Sequence, residues 1–213
     1  MAGGFTDAGP ALSLRLRKRA RTWTAIHSAA ATAALTHERL ADVTIESIVA
    51  EADVSARTFF NYFPSKEDAV LGLRAPAIDD DAAARFTLGA DDDAVDKVTR
   101  LLFDVLQSSG PDPELRRQNA ALTCRHPELA RRRIAHVDAA QSLVSDLVTE
   151  KLAASDRTIP DGFGTREAAQ MLVLSAGAII RFAMRSSITE SDGDVEVLVD
   201  RAIVLFRGVT AGR

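Results

Sequence analysis

The chain has 213 residues, 46% of them hydrophobic, and a formal net charge of −4. This length allows one ordinary domain or a small domain beside a larger one, and the acidic balance argues against a protein that coats nucleic acid, so any DNA contact requires a local basic patch. A single cysteine excludes an internal disulfide, and residues 1–10 lack the basic and apolar regions of a signal peptide. The longest uncharged apolar run, residues 168–180, is shorter than the roughly 20 residues of a membrane span. We therefore expect a soluble, cytoplasmic protein with no membrane partner.

Residues 1–12 are rich in glycine, contain little that can pack and are predicted to form a disordered tail. Apolar residues at helical spacing from Trp23 to about Thr36 predict a long first helix. Its start is strongly basic, with no acidic residue between Ser13 and Glu38, and contains Arg15, Arg17, Lys18, Arg19 and Arg21. A solvated charged turn is the alternative, but the position just before the next segment favours contacts with DNA phosphates.

Residues 43–63 have the pattern of two short helices joined by a tight turn. Thr44 is a good N-cap, and the apolar residues at 45, 48, 49 and 52 form one face of the first helix. Asp53 tolerates turn conformations, Val54 is an apolar plug between crossing helices, and Ser55 can cap the second helix. This pattern predicts a helix-turn-helix that binds DNA.

The second of these helices has two different faces. At about 100° per residue, Phe59 and Phe63 lie on one side, while Arg57, Phe60 and Asn61 lie on the other. The latter face suits a major groove, where arginine pairs with guanine, asparagine pairs with adenine, and an aromatic ring packs on a thymine methyl group. The alternative is a helix pair whose aromatic side chains all belong to the core.

Pro64 ends the second helix, and Ser65 to Asp68 has the Ser-x-x-acid pattern of a capped helix start. Lys66 lies in the first turn of this third helix, where its charge and the free backbone amides favour a phosphate. The residues expected to contact DNA, by bases or phosphates, are Arg17, Lys18, Arg19, Thr44, Ser55, Ala56, Arg57, Thr58, Phe60, Asn61, Tyr62 and Lys66.

This segment resembles, in one register and without gaps, the N-terminal domain of the TetR family of bacterial transcriptional regulators. The resemblance extends from about Arg17 to Leu73 and is carried by Thr44, Ile48, Ala52, Val54, Ser55, Thr58, Phe59, Phe60, Tyr62, Phe63, Lys66 and Glu67. Two positions depart from the family pattern, because Asp53 stands where glycine is usual and Val49 where alanine is usual. The resemblance implies a repressor that binds an operator in double-stranded DNA as a homodimer and is released by a small lipophilic effector.

Beyond about Arg74, an Ala-Pro pair and the aspartates at 79–81 mark a change of domain. Apolar spacing predicts helices at about 95–109, 113–125, 127–154, 165–187 and 195–208, with a loop at 155–164. No stretch alternates as a strand does. The prediction is an all-α protein with a tail at 1–12, a three-helix helix-turn-helix domain at 13–75, and a helical effector-binding and dimerisation domain at 76–213.

No catalytic or metal-binding pattern is evident. The four histidines form no i, i+4 pair with a nearby acid, and Cys124 with His126 lacks the partners of a catalytic or metal site, so we expect surface or partly packed histidines and a packed thiol. We therefore expect no enzyme, no cofactor and no metal. The alternatives are an all-α enzyme, which leaves the face around Arg57 unexplained, and a protein-interaction module, which leaves the basic start of the first helix unexplained.

The resemblance also implies two sites in the larger domain. The last two helices are expected to form a dimer interface, with burial inside one subunit as the alternative, through Leu172, Ala176, Ile179, Ile180, Val199, Ile203 and Phe206. An effector pocket is expected at Leu102, Phe103, Leu106, Arg116, Asn119, Leu122, Val137, Arg181 and Phe182. Its polar members would suit an anionic head on a lipophilic body, such as a fatty acid or acyl-CoA, and the alternative is an uncharged lipophilic compound.

Overall fold

The computed structural model describes residues 10–111, 119, 121–189 and 195–210, and every regular element in those ranges is helical. The predicted all-α class is confirmed. The elements are α1 (Pro10–Thr36), a 3-10 turn (Leu40–Asp42), α2 (Ile45–Glu51), α3 (Ala56–Tyr62), α4 (Lys66–Leu71), α5 (Asp80–Arg85), α6 (Ala94–Ser109), α7 (Pro127–Ala153), α8 (Thr165–Thr189) and α9 (Val195–Thr210). Of the tail predicted at residues 1–12, only residues 10–12 lie in the described ranges, and they belong to α1.

The chain divides into two compact units. The first contains the described residues up to Arg74 together with those of the segment Gly110–Ile134, and the second contains Ala75–Ser109 and the described residues from Ala135 onward. The single boundary expected at residue 75 therefore leaves out a segment of the first unit. Leu122 and Leu129 of this segment pack in the core of the first unit, and no local pattern shows with which distant helices such residues pack.

The core of the first unit forms where the apolar faces of α1 to α4 meet. Ile26 of α1, Ile48 of α2 and Phe59 of α3 are at most 1% exposed, and the rings of Trp23 and Phe63 lie 5.6 Å apart. Burying a side chain of this size stabilises the fold by roughly 1.5–3 kcal/mol. Since α2 and α3 have only seven residues each, this packing, more than helix propensity, maintains them and orients α3.

The second unit has a separate core built from α6, α8, α9 and the later part of α7. Val98 and Leu102 of α6 and Val144 of α7 are fully buried there, and α8 packs along both α6 and α9. Helix α5 was not predicted. Its N-cap is Asp79, whose carboxylate accepts hydrogen bonds from the amides of Asp81 and Ala82, and its six residues are too few to show a helical period.

Helix α8 is the one helix in the described ranges that is long and apolar enough to cross a membrane by composition. Its window Thr165–Arg185 has a mean hydropathy of 1.3. The packing of α8 against α6 and α9 gives another reason for that composition, because a core helix of a soluble protein has the same character. The composition is therefore weak evidence for a membrane span.

Candidate nucleic-acid interface

Helix α2 begins at the predicted cap. The Thr44 hydroxyl accepts a hydrogen bond from the Ser47 amide at 3.1 Å, and the Ser47 hydroxyl donates to the Thr44 carbonyl at 2.8 Å. The cap satisfies one of the amides that a helix start leaves unpaired. Thr44 is also exposed, as a residue that contacts phosphate has to be.

The turn between α2 and α3 requires a residue in the left-handed region. The amide of Val54 donates to the carbonyl of Val49 at 3.0 Å, and the amide of Asp53 donates to the carbonyl of Ala50 at 3.4 Å. These two bonds form a Schellman motif, and Asp53 accordingly has a φ of 51°. This backbone conformation destabilises an L-residue by roughly 1–2 kcal/mol, although aspartate tolerates it better than most residues do.

We expect Asp53→Ala to lower the free energy of unfolding by about 1 kcal/mol, because alanine lacks the polar side chain that makes a positive φ tolerable. Asp53→Gly should leave stability unchanged or higher, since relief of strain offsets the greater freedom of glycine in the unfolded chain. Urea unfolding followed by the fluorescence of Trp23, the single tryptophan, measures both. Equal destabilisation in the two variants would contradict the role of the left-handed turn.

Helix α3 has the cap and the two faces that the sequence predicted. The Ser55 hydroxyl accepts from the Thr58 amide at 3.1 Å and lies 2.9 Å from the Thr58 hydroxyl. Phe59 is fully buried, whereas Arg57 and Asn61 are exposed. The packing of the buried side therefore turns Arg57 and Asn61 toward solvent.

Phe60 is the unusual member of the exposed side, because 55% of this large apolar residue is exposed. Its ring meets the buried Phe59 edge-on, with the ring centroids 5.4 Å apart. Exposure of an apolar ring to water is unfavourable, and a thymine methyl group in the major groove would cover it. The exposed side of α3 thus has a cation at Arg57, an apolar ring at Phe60 and an amide at Asn61. We call these three residues the reading face.

The basic start of α1 lies beside the end of α3. The guanidinium of Arg19 is 5.8 Å from the centre of the Tyr62 ring. Arg17, Lys18 and Arg19 are exposed, and so are Ser55 and Ala56 at the start of α3, while Thr58 and Tyr62 are half-buried. Cations next to the reading face are what the phosphate-contact hypothesis requires.

Lys66 has an environment that the sequence did not predict. Its ammonium donates to the carbonyl of Leu40 at 2.7 Å and to the carbonyl of Val43 at 2.9 Å. Two of its three donors are therefore engaged inside the protein. The side chain fastens α4 to the chain that leads into Thr44, so its position supports the cap of α2.

Helix α4 begins at the predicted Ser-x-x-acid pattern. The Ser65 hydroxyl accepts from the Asp68 amide at 3.1 Å and donates to the Asp68 carboxylate at 2.7 Å. The other carboxylate oxygen of Asp68, a residue only 2% exposed, lies 2.6 Å from the guanidinium of Arg132. Helix α4 ends at Gly72, whose φ is 63° and whose added Cβ would lie 3.0 Å from the His27 ring, so glycine is required there.

Three further side chains fasten α4 and α1 by hydrogen bonds to backbone carbonyls. His27 Nδ1 donates to Ala69 at 2.7 Å, the Asn119 amide donates to Leu71 at 2.8 Å, and His126 Nε2 donates to Ala34 at 2.8 Å. The carbonyls can only accept, so these ring nitrogens carry the protons. Sequence reasoning missed these contacts, because each joins residues more than 40 positions apart and no short motif marks them.

Residues 29–71 match the model of a protein family described as bacterial regulatory proteins, tetR family. The matched range runs from the later part of α1 to the end of α4, which includes both helices of the helix-turn-helix and the reading face. The N-terminal part of the chain is therefore a TetR-family helix-turn-helix domain. The match supports a TetR-like DNA-binding transcriptional regulator, and the resemblance seen in the residue pattern is confirmed. A comparison with curated proteins found no match.

The residues expected to line an effector pocket have different environments. In the second unit, Leu102 and Phe103 are buried, Leu106 and Val137 are half-buried, and Arg181 and Phe182 are exposed. Asn119 and Leu122 belong to the first unit, where Asn119 is bonded to Leu71 and Leu122 is fully buried. Arg116 lies outside the described residues. The set therefore does not form one wall of the second unit.

A surface groove of about 350 Å³ lies between α7 and α8, and none of the expected effector residues lines it. Most of its lining residues have polar side chains, although apolar atoms make up the larger part of the wall surface, and they are Gln141, Ser142, Ser145, Asp146, Arg166, Gln170, Val173 and Leu174. The groove is open to solvent, whereas a pocket for a small lipophilic compound encloses most of the surface of its ligand.

The expected dimer interface needs correction. Five of its residues are at most 6% exposed within one chain, namely Ala176, Ile179, Ile180, Val199 and Ile203, while Leu172 and Phe206 are partly buried against the same core. Side chains buried in the core of their own chain are not available to a partner. The exposed apolar side chains of the same helices are Met171, Leu174 and Phe182 on α8 and Val197, Val204, Leu205 and Val209 on α9.

The remaining chemistry-bearing residues have structural environments. Three histidines that were expected at the surface or partly packed, His27, His126 and His136, are buried instead, and each makes a hydrogen bond that helix spacing alone does not show. Cys124, expected to be packed, is exposed, because it lies on the opposite side of its helical stretch from Leu122. In the part of the chain that the structure describes, no group of three or more His, Cys, Asp or Glu residues could hold a metal ion.

Proposed function

We propose that this regulator is a cytoplasmic repressor that binds its operator as a homodimer and releases it when a small lipophilic effector binds. The observation that carries the proposal is the reading face, where Arg57, Phe60 and Asn61 are exposed on a helix whose opposite side is buried. Arginine and asparagine are the residues that pair bidentately with guanine and adenine. Arg17, Lys18, Arg19, Thr44 and Tyr62 then position the protein on phosphates.

Arg57→Ala should cost roughly 1–3 kcal/mol of binding free energy and relax the preference at one base pair, and Asn61→Ala should do the same at another. The operator is obtained by selecting duplexes from a random pool with the wild-type protein. Affinities for single-base variants of this operator then measure the base preference at each position. Arg85→Ala, which removes an exposed arginine of α5, is the matched control and should change nothing. Lower affinity with unchanged base preference in both test variants would refute this assignment of base readers.

Lys66→Ala should weaken binding to all sequences alike. Its ammonium holds the carbonyls of Leu40 and Val43, so the variant should also unfold at a lower urea concentration. We expect the salt dependence of binding to stay close to that of the wild type, because a lysine engaged with backbone carbonyls releases few counterions on binding.

The homodimer is supported by an apolar stripe on the outer side of α8. Met171, Leu174, Ala178 and Phe182 follow one another at helical spacing and are all exposed. Val204 and Leu205 of α9, which packs beside α8, are 66% and 50% exposed. Exposed apolar side chains in such a row mark protein interaction sites. A twofold dimer matches two half-sites about one helical turn or a multiple apart.

The effector is proposed to be lipophilic because the second unit is built around apolar side chains such as Leu102, Phe103 and Leu106. A fatty acid or acyl-CoA is the first class to test, and a neutral lipophile is the second. We expect one of them to raise the melting temperature and to lower DNA affinity, since coupling between two ligands is reciprocal. At 100 times its Kd the effector should add about 2.7 kcal/mol of stability.

Arg181→Ala distinguishes the two effector classes. Of the arginines expected in the effector pocket, Arg181 is the one that lies in the described ranges, and it is proposed to bind the anionic head of a fatty acid or acyl-CoA. Loss of the thermal shift for acyl chains with a carboxylate or phosphate, but not for a neutral compound, would support the anionic class. Compounds that stabilise the protein and leave its DNA affinity unchanged would contradict the proposed release mechanism.

A further inference from the structure

The surface groove between α7 and α8 has two charged residues of opposite sign among its described lining residues. The guanidinium of Arg166, in the first turn of α8, lies 3.9 Å from the carboxylate of Asp146 on α7. The two side chains are 69% and 67% exposed, and an ion pair with so much exposure to water contributes little to stability. Both charges are therefore available to a molecule that enters the groove.

Uncharged polar side chains add further hydrogen-bonding groups to the groove. Gln141 and Ser145 of α7 are half-buried, while Ser142 and Gln170 are exposed. A Cβ at Gly177 of α8 would overlap Nε2 of Gln141, so the glycine lets the Gln141 amide lie against α8. Amide and hydroxyl groups can both donate and accept, and they can bond to the polar part of a ligand.

Apolar side chains complete the groove. Val173 is 3% exposed and Leu174 is 60% exposed, and apolar atoms make up the larger part of the wall surface. The volume of about 350 Å³ is at the low end of the range of small-molecule sites, roughly 300–1,000 Å³. The groove therefore suits a small molecule with a few polar groups and a short apolar part.

The two charges narrow the class of ligand. A purely anionic molecule would be repelled by Asp146, and a purely cationic one by Arg166. None of the described residues that line the groove is aromatic, so a nucleobase would have no ring on which to stack. A zwitterion, in contrast, pairs with both charges, and an α-amino acid has its ammonium and its carboxylate on the same carbon, as a protein ion pair with a spacing of 3.9 Å requires.

We propose that the groove binds a small zwitterion of the α-amino-acid class, with its carboxylate on Arg166 and its ammonium on Asp146. The apolar part of the ligand lies against Leu174, and its polar atoms bond to Gln141 and Gln170. An open groove suits this ligand, because charged groups are costly to remove from water. The site is separate from that of the lipophilic effector and does not depend on it.

The groove and the exposed apolar row of α8 lie on different sides of this helix. At about 100° per residue, Arg166 and Gln170 lie within about 40° of each other. Met171 and Ala178 of the apolar row lie about 110° further around the helix, with Leu174 between the two sides. A dimer formed through the apolar row is therefore compatible with a ligand in the groove.

The test measures binding of the common α-amino acids to the full-length protein by isothermal titration calorimetry. The tightest one is compared with its N-acetyl derivative, which lacks the ammonium, and with its methyl ester, which lacks the carboxylate. We expect one site per chain and binding of each derivative about tenfold weaker than that of the amino acid, because a hydrogen bond to a charged group is lost.

Two variants assign the charges of the ligand to their partners. Arg166→Gln should weaken binding of the amino acid about tenfold but leave the affinity for the methyl ester unchanged. Asp146→Asn should do the same for the amino acid and leave the affinity for the N-acetyl derivative unchanged. Both residues are about two-thirds exposed, so we expect both variants to fold, and circular dichroism checks this.

The matched controls are Arg85→Gln and Asp138→Asn, which remove an exposed charge of each sign outside the groove and should leave all affinities unchanged. The proposal would be overturned if no α-amino acid binds, or if binding is equal in the wild type and in the two groove variants. It would also be overturned if the blocked derivatives bind as tightly as the amino acid, or if the controls weaken binding as much as the groove variants do.

Discussion

Ile203→Asp should prevent folding of the second unit, whereas Val204→Asp should leave it folded. Ile203 is 2% exposed in the core of the second unit, and its neighbour Val204 is 66% exposed. Truncating a buried isoleucine costs about 2–5 kcal/mol, and an aspartate would in addition bury a carboxylate among apolar side chains. The sum approaches the whole stability of a typical domain, about 5–15 kcal/mol. Circular dichroism and thermal unfolding measure the outcome.

Val204→Asp tests the dimer surface at the same time. In a twofold dimer the substituted residue occurs on both sides of the interface, so two carboxylates would be placed in one apolar contact. We expect a folded monomer by light scattering, with DNA affinity strongly reduced. A folded Val204→Asp protein that remains a dimer would exclude the exposed row of α8 and α9 as the interface. A folded Ile203→Asp protein would contradict the burial of that side chain.

Arg132→Met should lower the free energy of unfolding of the first unit by about 3 kcal/mol, the lower end of the range for breaking a buried ion pair. The Arg132 guanidinium lies 2.6 Å from the Asp68 carboxylate, whose side chain is 3% exposed. Without this cation, Asp68 keeps the Ser65 hydroxyl as a donor but has no counter-charge. The lower end applies because the Arg132 side chain is itself 34% exposed. Trp23 fluorescence in urea reports this unit.

Arg133→Met is the control for the ion pair, since Arg133 is the next residue of α7 and is exposed. The Arg133→Met substitution should change the free energy of unfolding by no more than about 0.5 kcal/mol. The double variant Asp68→Asn with Arg132→Met should recover part of the stability, because it also removes the buried charge. Equal destabilisation by Arg132→Met and Arg133→Met would show that the pair with Asp68 has no special role.

The reading face was predictable from sequence because every signal for it is local. The caps at Thr44, Ser55 and Ser65 each act on an amide three residues later, a distance that a short motif encodes. The opposite exposures of Phe59 and Phe60 follow from the period of one short helix with a single buried side. The family match at residues 29–71 covers this same region.

The same reasoning did not distinguish the buried from the exposed apolar residues of α8 and α9, because both helices have apolar residues on more than one side. Leu174 and Ile179 of α8 are 60% and 3% exposed, and nothing in their residue type separates the one from the other. Periodicity shows that a helix has an apolar face, but two such faces leave open which one packs inside the chain. In the folded chain, the face of α8 that packs inside is the one that contacts α6 and α9.

Helix positions, helix caps and the exposed side of α3 follow from the order of amino acids alone, because they depend on residues one to four positions apart. The environments of Lys66, Asp68 and Asn119 follow from the packed chain, since their partners at Val43, Arg132 and Leu71 are 23 to 64 positions away. A lysine at a helix start has the same sequence signature whether it contacts a phosphate or a carbonyl of its own protein. Its partner depends on which distant backbone groups the folded chain leaves unpaired beside it.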